Sequence, residues 1–451
     1  MSAKALPGFR DFYPQEFAER AHIVGVWREV ARRYGFVEYD GPPLEPLELY
    51  TKKSGDEIVG QLYNFTDKGG REVALRPEMT PTFARMVGAR ANALRKPVRW
   101  FSVPQLFRYE RQQRGRLREH FQLNVDIVGE ADVTADAELL AVAVDMMRAF
   151  GLTPGDVVAR VSDRRLLAAL LLRVGLTETQ LPAAYAAIDK AERDSRDVLV
   201  ARLGEAGVSA DVAERALALA RRTSVDELRA EHGDDAGVAE ALDRLARYFA
   251  YLDALGVGDW AVLDLTIVRG LAYYTGVVFE LFDARGEFRA VCGGGRYDAL
   301  LGALGGADLP ALGFGMGDVV LGELLRDRGL MPGAAPALDY WVAADDQELL
   351  PMVMRVSTLL RRVGHSVEYA LRDQALGKQL KAAAAAGART VAVFRQADVA
   401  ERGEVALRRA GEGAEQVVSV AAWLDQLTAA ARASAPGPDA NGTPPDAPTR
   451  R

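Results

Sequence analysis

Residues 107–129 read FRYERQQRGRLREHFQLNVDIVG, and the fold turns on how that stretch is read. From Glu119 to Val128 the side chains alternate. Phe121, Leu123, Val125 and Ile127 fall on one side; His120, Gln122, Asn124 and Asp126 fall on the other. Period-two alternation of this kind makes a strand with one face for a core and one for a cleft or water. Just before it, Arg108, Arg111, Arg114, Arg116 and Arg118 crowd around Gly115, so the segment reads as a hairpin with a strongly basic loop. Two readings fit such a loop. Surface ion pairs at a solvated tip are each worth roughly 0–1 kcal/mol and mean little. Guanidinium forks are also the side chains that match phosphate oxygens two at a time. The hairpin alone leaves both open.

Two distant segments bear on the choice. In LRPEMTPT (75–82), Arg76, Glu78 and Thr80 alternate beside Pro77. In VRGLAYYTGVVFE (268–280), Arg269 and Tyr273 share parity and Tyr274 adds a second phenol. The glycine-rich runs CGGGRYDALLGALGG and GFGMGD lack both the GxxxxGKS/T and the GxGxxG spacing, so neither a P-loop nor a dinucleotide fold is indicated. Glycines inside a strand mark close approach by backbone or ligand.

Working outward, residues 15–34 have helical apolar spacing, and FVEYD after Gly35 reads as a strand. Residues 97–130 read as strand, loop, strand, with a helix from about 135 to 150 and an extended 157–163. Residues 165–255, rich in Ala, Leu, Arg and Glu, read as a helical insertion. Strands resume at AVLDLTIV, YYTGVVFELF and FRAVCGGGRYDALL, and GFGMGDVVLGELL is a strand entering a helix. MPGAAPA (331–337) is a linker. Residues 338–430 alternate strands and helices, as a small α/β domain with a largely parallel sheet does. The Pro/Gly/Asp-rich 431–451 reads as a disordered tail.

Composition narrows the field. The single cysteine, Cys292, excludes a disulfide framework and fits a reducing, cytoplasmic setting. The four histidines are scattered, so no metal site built from protein side chains is indicated. No run of the roughly 18 apolar residues needed to span a membrane is present, and MSAKALPGFRDFYP lacks a signal-peptide core. A net charge of −7 argues against binding nucleic acid over the whole surface but permits a local basic patch.

Taken together, these segments resemble the class II aminoacyl-tRNA synthetases, and among them the histidyl-tRNA synthetases. Residues 15–46 look like motif 1, FRYERQQRGRLREHFQ like motif 2, and GFGMGDVVLGELL stands at motif 3; VRGLAYYTGVVFE and CGGGRYDALL are similar to the two histidine-specific signatures. The resemblance implies an α+β fold: an antiparallel-sheet catalytic domain over 1–330 with a helical insertion, and a C-terminal α/β anticodon-binding domain over 338–430. It implies that Glu78, Met79, Thr80, Arg108, Gln122, Asp126, Arg269, Tyr273 and Tyr274 surround L-histidine, with Arg269 and Arg108 catalytic. Gln122 and Asp126 would receive the α-ammonium, and the tyrosines would select the imidazole. Arg108, Arg116, Gly315 and Gly317 would bind ATP, used with Mg²⁺. Gln112, Gln113, Arg114 and Arg118 would face the acceptor end of tRNA(His). The chain would be a homodimer.

The sequence departs from the family at two places. Motif 3 commonly ends in Glu-Arg-Leu; here Val319, Val320 and Leu321 occupy those positions, so an arginine at ATP is absent. Ala272 stands where the first signature usually has Asp. These gaps leave an alternative: a catalytically inactive, histidine-binding regulatory subunit of ATP phosphoribosyltransferase. A class II enzyme for another amino acid is a third reading. The threonine type would need a zinc site that one cysteine and scattered histidines do not provide.

Overall fold

The computed structural model describes residues 4–51, 59–111, 115–268, 274–303, 307–333, 338–410 and 415–433. The chain divides into two compact units between Pro332 and Gly333.

The first unit carries strands β1 (Val37–Glu38), β2 (Leu44–Pro46), β3 (Tyr63–Thr66), β4 (Glu72–Leu75), β5 (Val98–Ser102) and β6 (Gln105–Phe107). It continues with β7 (Glu119–Val128), β8 (Val157–Asp163), β9 (Ala261–Leu263), β10 (Val277–Asp283), β11 (Cys292–Arg296) and β12 (Ala311–Gly317). The main sheet runs β1-β5-β7-β12-β11-β10-β8-β9, with β6 paired to one end of β7. From β5 to β8 every neighbour is antiparallel. Only the edge pairs β1·β5 and β8·β9 are parallel. A small β2-β4-β3 sheet stands beside it.

The alternation of β7 sorts its side chains as the period demands. Leu123, Val125 and Ile127 are buried in a core shared with the helix Val133–Ala149. That helix starts where Asp132 accepts the Thr134 N–H at 3.0 Å, a cap that satisfies one of its orphan donors. The helix Pro14–Arg33 packs beside it through Trp27, fully buried, whose indole N–H points at the Met316 sulfur, 3.2 Å away. Helices from Arg164–Arg173 to Ala236–Ala254 fill the insertion. Their Leu166, Leu203, Leu245 and Leu252 belong to the same continuous core as the sheet.

Several local expectations change. LRPEMTPT, to which the sequence reading gave no element, ends β4 at Leu75 and begins a helix at Thr80 with Pro81 in its first turn. Proline's fixed φ suits that position and its missing N–H costs nothing there. FVEYD and AVLDLTIV shrink to the short edge strands β1 and β9.

The second unit has β13 (Leu338–Ala344), β14 (Val367–Tyr369), β15 (Ala388–Phe394), β16 (Glu404–Arg409) and β17 (Glu415–Ser419), in the order β14-β13-β15-β16-β17. Its sheet is mixed: β14, β13 and β15 are parallel, whereas β16 and β17 add antiparallel. A helix at Gln396–Arg402, between β15 and β16, was not expected. The last helix runs to Ala433, three residues into the stretch read as tail. The remainder of that stretch, and residues 334–337 of the linker, lie outside the described residues.

Candidate active site

Two adjoining cavities lie on the polar side of β7 and β12. The smaller, about 160 Å³, is walled by Glu78, Thr80, Asn124, Asp126 and Tyr297. The larger, about 400 Å³, is walled by Glu110, Arg116, His120, Glu280, Arg289 and Val320 among others. Arg108, Gln122, Tyr274, Gly293 and Gly315 belong to both.

The floor is made by register. β12 sets Gly313 opposite Asp126, Gly315 opposite Asn124 and Gly317 opposite Gln122. A side chain at Gly315 would come within 2.6 Å of the Gln122 amide nitrogen. One at Gly313 would strike the Asp126 carboxylate and lie 2.7 Å from the Val125 carbonyl. These glycines are the clearance in which the polar side chains of β7 lie over the sheet, which is why the run matches no nucleotide loop.

Asp126 is buried, and the phenol of Tyr297 donates a hydrogen bond to it. Burial pushes its carboxyl up to about 7, against the opposing pull of that bond. Gln122 donates from Nε2 to the Asn124 side-chain oxygen at 2.8 Å, which fixes its amide beside the carboxylate. His120, on the larger cavity, is pushed down to about 4 by burial and by the nearby Arg108, so its ring is neutral at pH 7.

Arg108 follows β6, and its Nε donates to the Pro77 carbonyl at 2.9 Å. The strand-turn-helix at 75–80 thus supplies both the anchor for this guanidinium and the Glu78 and Thr80 on the cavity wall. Arg76 fastens that turn: its Nη1 donates to Asp40 at 2.7 Å and to the Gly41 carbonyl at 2.8 Å. Arg116 lies 3.1 Å from Glu110, which Arg108 also approaches, at 4.0 Å.

Of the candidates read from the sequence, the structure brings together Glu78, Thr80, Arg108, Arg116, Gln122, Asp126, Tyr274, Gly315 and Gly317 on the two cavities. Met79 is different: its side chain is fully buried and lines neither cavity, because the turn into the helix points it at the core. Arg118 is also off both walls; its guanidinium sits 4.1 Å from the Tyr109 ring centre, and its backbone N–H donates to the Gly8 carbonyl. Arg269, Tyr273, Gln112, Gln113 and Arg114 lie outside the described residues. Sequence reasoning assigned nothing to Tyr297 or Arg289, and placed His120 on the polar side of the strand without a role. Asn124 shares parity with Gln122 and Asp126, and that was the signal for it.

Among the described residues no three His, Cys, Asp or Glu side chains converge as a metal cage. Mg²⁺ held through substrate phosphates needs only one or two carboxylates, and Glu110 and Glu280 both stand on the larger cavity.

An antiparallel sheet with an arginine-bearing hairpin over a polar floor, together with a separate C-terminal sheet unit, is the architecture the class II synthetase motifs imply. The histidyl-tRNA synthetase family model matches residues 8–317, and the anticodon-binding domain model matches 340–429. The histidine–tRNA ligase of Opitutus terrae is 46% identical over 87% of this chain and 90% of its own length. That of Haloarcula marismortui is 42% identical over 93% and 96%. The crystal structure of histidyl-tRNA synthetase from Nostoc shares the fold, with a TM-score of 0.81 over 95% of this chain and 99% of that one at 24% identity. The chain belongs to the histidyl-tRNA synthetase family.

Proposed function

We propose that this chain is a histidine–tRNA ligase: it activates L-histidine with ATP to histidyl-adenylate and pyrophosphate, then esterifies tRNA(His). The observation that carries the site reading is the position of Arg108, held on the Pro77 carbonyl in the wall common to both cavities. The smaller cavity suits a small zwitterion with a polar ring, having carboxylates at Glu78 and Asp126 and amides at Gln122 and Asn124. The larger cavity suits the nucleotide.

With histidine in the first and ATP in the second, the carboxylate meets the α-phosphorus beside Arg108. The carboxylate oxygen bonds to that phosphorus as the bond to the bridging oxygen breaks, and pyrophosphate leaves. Charge growing on the non-bridging oxygens is stabilised by Arg108 and by Arg269, the latter assigned by resemblance alone. Mg²⁺ bound through the phosphates, with Glu280 or Glu110 at hand, would supply further positive charge. In the second step the terminal ribose hydroxyl of tRNA attacks the acyl carbon and AMP departs; positioning does most of that work. Tyr273 and Tyr274 would select the imidazole. Gln112, Gln113 and Arg114 would serve the acceptor end, and Arg118 would support them from its place on Tyr109. A homodimer in the cytoplasm completes the reading, resting on the motif 1 resemblance, on Val37 left 61% exposed at the sheet edge, and on the lone cysteine.

The regulatory-subunit alternative is not favoured: the anticodon-domain model matches 340–429, and the ligase relatives cover 87% and 93% of the chain. The test is histidine-dependent ATP–pyrophosphate exchange and tRNA(His) charging. The whole chain is expected to do both. A chain ending at Pro332 is expected to keep exchange and lose charging; charging that survives the truncation refutes the anticodon assignment.

A further inference from the structure

The larger cavity has an uneven distribution of charge. On one side stand Arg108 and Arg116, and both face Glu110, so two cations share one anion. On another side the helix Asp318–Asp327 presents Val319 and Val320, with no cation in its first turn. Asp318 itself is taken up by Arg10 at 2.9 Å and by the Phe121 N–H at 2.9 Å. A triphosphate brings three to four negative charges into this space, and the last two phosphates must leave together. Arg108, at the junction with the smaller cavity, is placed for the first phosphate.

A further guanidinium reaches the cavity from a different element. Arg289 lies on the hairpin between β10 and β11, which turns at Gly286 with a φ of 72°. It lines the larger cavity and not the smaller one. The position where a side chain would grow from Gly115 is 3.2 Å from a Val320 methyl and 3.9 Å from Cδ of Arg289. Arg289 and Val320 therefore border the same glycine of the arginine hairpin, on the wall of the same cavity. Arg289 is an exposed residue of the cavity wall. Its neighbours Phe288, packed on the core, and Val291, whose N–H donates to the Leu281 carbonyl at 2.8 Å, hold the hairpin on either side.

We propose that Arg289 binds the β- and γ-phosphates of ATP and the departing pyrophosphate, supplying from the β10–β11 hairpin the cation that the helix after β12 lacks at Val320. This rests on the nucleotide assignment of the larger cavity made above. Arg289 touches neither the smaller cavity nor Arg108's anchor, so its contribution is separable from histidine binding.

The experiment is histidine-dependent ATP–pyrophosphate exchange on the full chain, comparing the parent, Arg289→Ala, Arg289→Lys and the double variant Arg289→Ala/Val320→Arg. In Arg289→Ala, kcat/KM for ATP is expected to fall about 10²-fold to 10³-fold, as for loss of one positioned charge donor. The KM for pyrophosphate should rise, with histidine affinity by calorimetry and the melting temperature unchanged. Arg289→Lys should retain part of the rate, and the double variant should regain rate over Arg289→Ala because its new guanidinium grows from the neighbouring valine. Unchanged ATP and pyrophosphate parameters in Arg289→Ala would overturn the proposal. So would a loss of ATP affinity with the pyrophosphate KM intact, which would put Arg289 on the adenine. An equal loss of histidine affinity would also overturn it, by making the residue a support of the whole cleft. A parent chain that binds histidine but performs no exchange would instead defeat the function proposed above.

Discussion

The two cavities share a wall and differ in almost everything else. The smaller is built from side chains that packing holds still: Asp126 and Tyr297 are both buried, and the amides of Gln122 and Asn124 are bonded to each other. The larger is lined by arginines on a hairpin and a loop, with Arg116 44% exposed. Low-dielectric surroundings make polar groups expensive unless paired and strong when paired, which suits discrimination of one small substrate. Exposed guanidinium groups keep their charge whatever their surroundings and can rearrange around a polyanion that must enter and leave. On the function proposed above, selectivity belongs to the fixed cavity and charge to the adaptable one.

Arg108 belongs to both, and its loss should have the largest effect. Arg108→Ala is expected to lower the exchange rate about 10²-fold to 10³-fold. It should disturb the apparent affinities for histidine and ATP together, as measured by varying each at saturating levels of the other. An effect confined to ATP would break the comparison by placing Arg108 in the larger cavity alone.

A smaller effect tests the fixed cavity by itself. In Gly313→Ala the added methyl meets Asp126 and the Val125 carbonyl, both fixed in the sheet. Such overpacking costs about 1–3 kcal/mol of fold stability, and the displaced Asp126 is expected to raise the histidine KM roughly tenfold, with the ATP KM unchanged. Parallel rises in both would mean that the two cavities deform as one.

The contrast also explains what the sequence made legible. The floor was visible because a strand's period is local: the parity of Gln122, Asn124 and Asp126 follows from their spacing alone. The turn at 75–80 was given no element: the alternation of Arg76, Glu78 and Thr80 is fortuitous, while Pro81, a helix-start residue, carried the better signal. Met79 entered the histidine set through the family resemblance, whereas its side chain belongs to the core. Tyr297 reaches Asp126 from 171 residues away, and no local pattern reports such a pairing. Arg289 was hidden for the same reason: on a hairpin one more exposed arginine looks like solvation until Gly115 and Val320 are found beside it. The mixed sheet of the second unit was read as largely parallel because strand-helix alternation holds for β13 to β15 and gives no warning that β16 and β17 add antiparallel.

The smallest effect is in pH dependence. Burial holds the Asp126 carboxyl up at about 7, far above the ordinary value near 4. Below pH 7 the empty site is protonated there, and a cationic ligand group that needs the carboxylate must first displace the proton. The histidine KM should therefore rise by up to about tenfold per pH unit below 7 and level off above it. Histidine's own imidazole titrates in the same range, so the readout is the difference between the parent and Asp126→Asn, in which the Asp126 component disappears. Stability should move the opposite way. A carboxyl that holds its proton more tightly folded than unfolded stabilises the fold fully below about pH 4, and that contribution is lost by about pH 7. The melting temperature of Asp126→Asn relative to the parent should accordingly climb between those limits. Acid would then make the empty protein firmer while it weakens histidine binding. If KM and melting temperature both keep a constant offset from the parent across that range, Asp126 stays ionised throughout, and the fixed cavity holds a permanent charge like the one beside it.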